Sequence, residues 1–228
     1  MEETRQDIQQ TAEGPEITKR PRNRKEKPVS AHEQLASNTR RMTTLGMLAA
    51  IAIVLVALIH FPLLPAAPFM EYDPADIPIF IGTFLFGPLS GLILTAVVCL
   101  IQGITVSAGS GFIGIIMHFL ATGTFVLIAG LLYRKHRTRK YAIIGLSVGT
   151  LAMTVIMCLC NLIFTPIFMG VNLEDVIGML LPVIIPFNFL KAAINSIVTY
   201  LVYKPISRLI FREKKSAKAV EDQEPKSA

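Results

Sequence analysis

Asn188, Lys191 and Asn195 are the polar side chains in a stretch from Val176 to Tyr203 that is otherwise apolar or small, and Lys191 is its only charge. Spacings of three and four residues put all three on one face of a helix. An ammonium group at bilayer depth costs at least ~2.5–3.5 kcal/mol even on the mildest insertion scale, so it persists where the protein interior uses it. A polar stripe centred on a cation and turned into a helix bundle is suited to holding a polar solute. Snorkelling is the competing reading, but Lys204 lies thirteen residues further on, roughly 20 Å along a helix. A second intramembrane amide, Asn161, is followed by Thr165 and Pro166. Alone it reads first as an interhelical hydrogen bond, at about 0.6 kcal/mol. Together with Asn188 and Lys191 it reads as part of a ligand site.

Other chemistries find little support. Ala108-Gly109-Ser110-Gly111 is weakly similar to a serine-protease loop, yet no carboxylate near His118 in sequence could orient that histidine as a base. His60 borders an interface and reads as solvated; His118 faces either the bundle or a partner. Neither has metal-ligand spacing to another His, Asp or Glu. No Gly-rich nucleotide loop ending in Lys-Ser/Thr is present. Cys99, Cys158 and Cys160 lie in apolar runs and read as packing residues rather than a disulfide or metal site. The expectation is a protein with no catalytic residue, no metal and no enzymatic activity.

The elements that must position these residues are membrane helices. No Asp, Glu, Lys or Arg occurs from Met42 to Met70, from Ile77 to Tyr133 or from Tyr141 to Leu173, and apolar runs of about 20 residues read as spans. The expected fold is all-α: six transmembrane helices at about Thr44–His60, Asp76–Phe86, Pro88–Ile104, Phe112–Leu132, Tyr141–Phe168 and Pro182–Leu209. The second is only roughly 16 Å long and must be short or tilted and buried against its neighbours. Asp76 is expected to cap it, with Pro78 in its first turn and Gly87-Pro88 ending it. An amphipathic lead-in at Glu174 precedes the last span. Residues 1–41 read as a charged, disordered cytoplasmic tail with no secretory signal, 42–212 as one transmembrane domain, and 213–228 as a second solvated tail.

Charge sets the expected orientation. Twenty-one of the 22 Lys and Arg residues lie before the first span, in Arg134–Lys140, or from Lys204 onward; the remaining one is Lys191. The other charged connections carry acids instead: Glu71, Asp73 and Asp76, then Glu174 and Asp175. The positive-inside rule makes the basic clusters, and both termini, cytoplasmic. The net charge of +6 therefore reads as attraction to an anionic lipid bilayer rather than to nucleic acid. In the first helix Gly46, Ala49 and Ala50 form a small-residue face that permits close helix approach, either inside the bundle or against another membrane subunit. No internal repeat of the kind common in secondary carriers is visible.

The segment Met70-Glu71-Tyr72-Asp73-Pro74-Ala75-Asp76-Ile77-Pro78, followed by Phe84-Leu85-Phe86-Gly87-Pro88 and Gly91, resembles the first outer loop and second helix of the riboflavin-specific substrate-binding (S) components of energy-coupling factor (ECF) transporters. The similarity continues at Met157-Cys158-Leu159-Cys160-Asn161 and at Pro186-Phe187-Asn188-Phe189-Leu190-Lys191, and covers about Thr44 to Ser207. It implies a multi-pass subunit of the bacterial cell membrane, open to the outside, which binds riboflavin or a related flavin as transported ligand and uses no cofactor. It further implies Asn161, Asn188 and Lys191 as ligand contacts, Phe69, Met70, Glu71 and Tyr72 as a lid, and Gly46, Ala49 and Ala50 as the face toward a transmembrane coupling subunit served by two ATP-binding subunits. Helix three departs from the family pattern in offering only Gln102 where relatives often carry charge. An S component for another vitamin, or a stand-alone secondary carrier in which Lys191 titrates, are the alternatives.

Overall fold

The computed structural model describes residues 31–65, 67 and 70–221. The chain divides into two units, Met1–Asn38 and Thr39–Ala228; of the first, the described part is the helical run from Ala31. Residues 1–30 of the expected tail, and Phe69 of the expected lid, lie outside the described residues.

Helix α1 runs Ala31–Leu58, starting well before the expected Thr44. No Gly or Pro interrupts residues 31–45, so once the apolar span nucleates the helix, its polar lead-in propagates it. A two-residue antiparallel pair comes next, β1 Phe61–Pro62 with β2 Glu71–Tyr72, in register Phe61 to Tyr72. This hairpin was not expected. Pro62 and Pro65 follow closely on the end of α1 and do not favour its continuation.

Helix α2, Asp76–Phe86, is buried on every face from Asp76 to Leu85. It packs against the later helices α3, Pro88–Ile104, and α4, Gly111–His136, as well as the last helix. Its burial explains how so short a helix is accommodated at membrane depth. Gly87 ends it at φ 93°, a conformation that glycine adopts without steric penalty, and Pro88 opens α3. Gly91 then lets α3 sit directly on α2, since a Cβ there would overlap the Thr83 side chain. Phe80 of α2 stacks on Phe125 of α4 at a centroid distance of 3.7 Å.

Helix α5, Arg139–Met169, is capped by Thr138 and ends at Gly170. A short helix α6, Leu173–Met179, begins where the Asn172 amide N–H donates to Asp175 Oδ2. One π-helical turn, Leu180–Ile184, joins it to α7, Ile185–Glu221. Pro182 lies within that turn and has no N–H to give to the regular ladder. Helix α7 runs past the expected end at Leu209, because residues beyond Pro205 are largely good helix formers such as Lys, Arg, Glu and Ala.

Four helical stretches are long and apolar enough to cross a bilayer: Ser37–Leu58, Ala108–His136, Arg139–Met169 and Leu173–Pro205. Helices α2 and α3 are apolar but shorter. Side chains such as Leu89, Ile93, Leu151, Val155 and Ile197 are exposed, as expected where lipid rather than water is the solvent. The chain is a multi-pass helical membrane protein.

Candidate functional site

The stripe on α7 divides into two tasks. Asn195 is fully buried and fully engaged: its Nδ2 donates to the Asp73 backbone oxygen and to Asp76 Oδ2, both at 3.3 Å, and its Oδ1 accepts from the Tyr72 hydroxyl at 2.9 Å. Burial pushes the Tyr72 phenol above its usual value, so it stays protonated as that donor. Asn195 therefore anchors the segment that leads from β2 into α2. One turn earlier, Lys191 Nζ donates to Asp73 Oδ2 at 2.6 Å. Asp73 is held in turn by its own Oδ1, which accepts from the Ala75 amide at 3.1 Å. Lys191 thus has a carboxylate partner, supplied by a residue far from it in sequence. The partner comes from the loop between β2 and α2, folded back against α7.

Asp76 does not cap α2 as expected. The residue preceding the helix, Ala75, provides no side-chain cap, and the Asp76 carboxylate is fully buried. Its Oδ1 accepts from the Thr122 hydroxyl at 2.8 Å and lies 3.3 Å from His118 Nε2. His118 therefore does have a carboxylate, one supplied by a different helix. No hydrogen bond joins Ser110 to His118 among the described residues, and no group of three His, Cys, Asp or Glu residues there is disposed to hold a metal. Cys99, Cys158 and Cys160 are free thiols.

Beside this network is a cavity of about 240 Å³. Its walls include Asn161 and Thr165 of α5, and Asn188 and Lys191 of α7. Met70, Glu71 and Asp73, from the segment leading into α2, line the same space as the two amides and the lysine. Apolar surface comes from Met117, Met153, Met157 and Phe187, while His60, Gln102 and His118 add polar groups. His60 Nδ1 lies 3.1 Å from the Val56 oxygen, and the residue lines the cavity.

Five of the expected ligand residues, Asn161, Asn188, Lys191, Met70 and Glu71, thus converge on one cavity. Tyr72 does not line it; its ring is buried and its hydroxyl is committed to Asn195. The amides are braced by their own helices. Asn161 Nδ2 donates to the Met157 oxygen at 2.7 Å and its Oδ1 accepts from Thr165 at 2.9 Å, while Asn188 Nδ2 donates to the Ile184 oxygen at 2.8 Å. The last of these reaches back to the end of the π-turn. Asp73 and Gln102 were not anticipated in the site. Asp73 was signalled by Lys191, the one charge between Val176 and Tyr203, which required a carboxylate from somewhere; Gln102 was signalled by a lone amide in an otherwise apolar helix.

On α1, Leu48, Ala52 and Val56 are buried, and Ala49 is half-buried against the same core. Gly46 and Ala50 are exposed, with open space beside Gly46. The small-residue face is thereby resolved: Ala49 packs partly inward, and Gly46 and Ala50 face outward.

Comparison with known proteins places this arrangement. The family model for the substrate-specific component of ECF transporters matches residues 40–203. Riboflavin transporter RibU of Staphylococcus aureus (strain TCH60) is 35% identical over 179 residues, 76% of this chain and 93% of its own. RibU of Streptococcus thermophilus is 30% identical over 77% of this chain and 87% of its own, and riboflavin transporter FmnP of Bacillus subtilis (strain 168) is 27% identical over 72% and 90%. A solved structure of the S component of a bacterial ECF transporter superimposes with a TM-score of 0.64 at 35% identity, covering 76% of this chain and 98% of that one.

Proposed function

The chain belongs to the ECF transporter substrate-specific component family, and from that premise we propose that it binds riboflavin from outside the cell in the cavity beneath the 70–73 loop and delivers it inward in an ATP-driven importer. The observation that carries this reading is the convergence of Asn161, Asn188 and Lys191, from two different helices, on one cavity that the 70–73 loop also lines. Flavins combine a flat apolar tricycle with a polar pyrimidine edge and a hydroxylated side chain. Methionine and phenylalanine walls with a few fixed polar groups suit that combination, because the apolar surface supplies affinity and the polar groups supply orientation. The relatives named as riboflavin transporters support the same ligand.

The energy source is external. A nucleotide-binding motif is absent from the sequence, so transport requires a membrane coupling subunit and two ATP-binding subunits, with Gly46 and Ala50 on the docking face. The charge partition puts the 70–73 loop outside and Arg134–Lys140 inside. Reconstitution tests the reading. Riboflavin uptake into proteoliposomes is expected only when the coupling subunit, the ATPases and ATP are all present. Robust uptake by this chain alone would establish a self-sufficient carrier instead.

A further inference from the structure

Gln102 contributes a polar atom that nothing in the protein uses. It lies near the end of α3, is only 5% exposed and lines the cavity. Its Nε2 donates to Ser107 Oγ at 3.3 Å, and the Ser107 amide donates to the Gln102 backbone oxygen at 2.9 Å, so the residue is tied at two points to the turn after α3. Its Oε1 is buried and has no partner. Among the described residues the other such atom is Thr199 Oγ1, which does not line this cavity.

A buried amide oxygen without a donor gives up its bond to water and receives nothing in return, so each such atom in a folded protein calls for an explanation. The other amides of the cavity and its lysine differ. Asn161 is satisfied at both ends of its amide, Asn188 has its Nδ2 committed, and Lys191 can only donate. Gln102 therefore offers an acceptor on a third helix, at a site whose lysine offers donors.

We propose that Gln102 Oε1 accepts a hydrogen bond from an N–H or O–H group of the bound ligand and so discriminates for a ligand carrying that donor. The inference rests on the riboflavin reading above. In riboflavin the donor is either the ring imide N–H or a hydroxyl of the side chain, and a direct bond to either satisfies the stranded oxygen. Because a site built around a buried polar group rejects an analogue that leaves that group unpaired, this amide would also exclude flavin-like molecules without the matching donor.

Affinity measured for three ligands tests this. Riboflavin, 3-methylriboflavin (imide N–H removed) and lumiflavin (side-chain hydroxyls removed) are titrated into the wild-type protein, Gln102→Met and Gln102→Asn. The second variant withdraws the oxygen by one methylene while keeping an amide, and serves if Gln102→Met does not fold. Riboflavin affinity should fall roughly three- to tenfold in either variant, the loss of one neutral hydrogen bond. That loss should vanish for one of the two analogues, which identifies the donor. An equal loss for all three ligands would mean that Gln102 acts only on the fold, and no loss for riboflavin would remove it from the site; either result overturns the proposal. Failure of the wild-type protein to bind riboflavin at all would instead overturn the reading on which it rests.

Discussion

Lys191 and Asp73 are 118 residues apart in sequence, and their charged groups meet at 2.6 Å with both side chains largely withdrawn from solvent. The pair does two things at once. It neutralises the one cation placed deep in an apolar stretch, and it ties the 70–73 loop to α7 at the cavity wall. A ligand that engages Lys191 is thereby in contact with the group that holds the loop in place.

The pair alters the expected cost of removing the lysine. From sequence alone, Lys191→Met relieves an expensive membrane charge and should leave folding unharmed. With Asp73 beside it, the substitution strands a buried carboxylate, and breaking one side of a buried pair costs about 3–5 kcal/mol. Lys191→Met is expected to lower the melting temperature and also to weaken riboflavin binding by roughly ten- to a hundredfold, the loss of a charged hydrogen bond. Adding Asp73→Asn should restore much of the stability and none of the affinity. A melting curve and a binding titration on each preparation check this, and full recovery of affinity in the double variant would assign Lys191 to the loop alone.

Asp76 should matter for assembly of the bundle rather than for the ligand. It meets Thr122, His118 and Asn195 and does not line the cavity. Asp76→Ala leaves those groups without their acceptor, and a hydrogen bond to a charged group is worth about 1.5–3 kcal/mol. Expression or thermal stability should fall sharply, whereas Asp76→Asn, which keeps one acceptor, should fall less. Normal stability in Asp76→Ala would show that the network contributes little.

The outward face of α1 is expected to serve docking. Gly46→Leu meets open space and Ala50→Leu an exposed position, so riboflavin affinity and melting temperature should change little. Co-purification with the coupling subunit should fall, because a large side chain prevents close helix approach. Lost riboflavin binding with intact co-purification would assign this face to the fold of the subunit.

Orientation is tested by labelling with a membrane-impermeant thiol reagent, in a background without Cys99, Cys158 and Cys160. A cysteine introduced at Glu174 should label from outside, and one at Thr138, beside the basic cluster, only after lysis. The reverse pattern would invert the topology.

The spans were legible because apolar runs and their charged boundaries state membrane depth directly, and the break at Gly87-Pro88 was legible from backbone chemistry. The bounds of α1 and α7 were less so, since polar helix formers continue a nucleated helix without any change in hydropathy. Asn161, Asn188 and Lys191 stood out because a polar group in lipid needs a reason. Asp73, Asp76 and Gln102 were harder. Their roles depend on partners in other elements, such as His118 for Asp76, and sequence spacing carries no information about contacts made through tertiary folding. Tyr72 and Asn195 show the converse: both look like site residues, yet each satisfies the other.

Equilibrium dialysis of riboflavin against the purified, monodisperse chain tests the central claim most directly. The account predicts saturable binding of one riboflavin per chain without any partner subunit, weakened about tenfold or more by Lys191→Met. A folded chain that takes up no riboflavin above background, or that binds it equally well without the lysine, would contradict it.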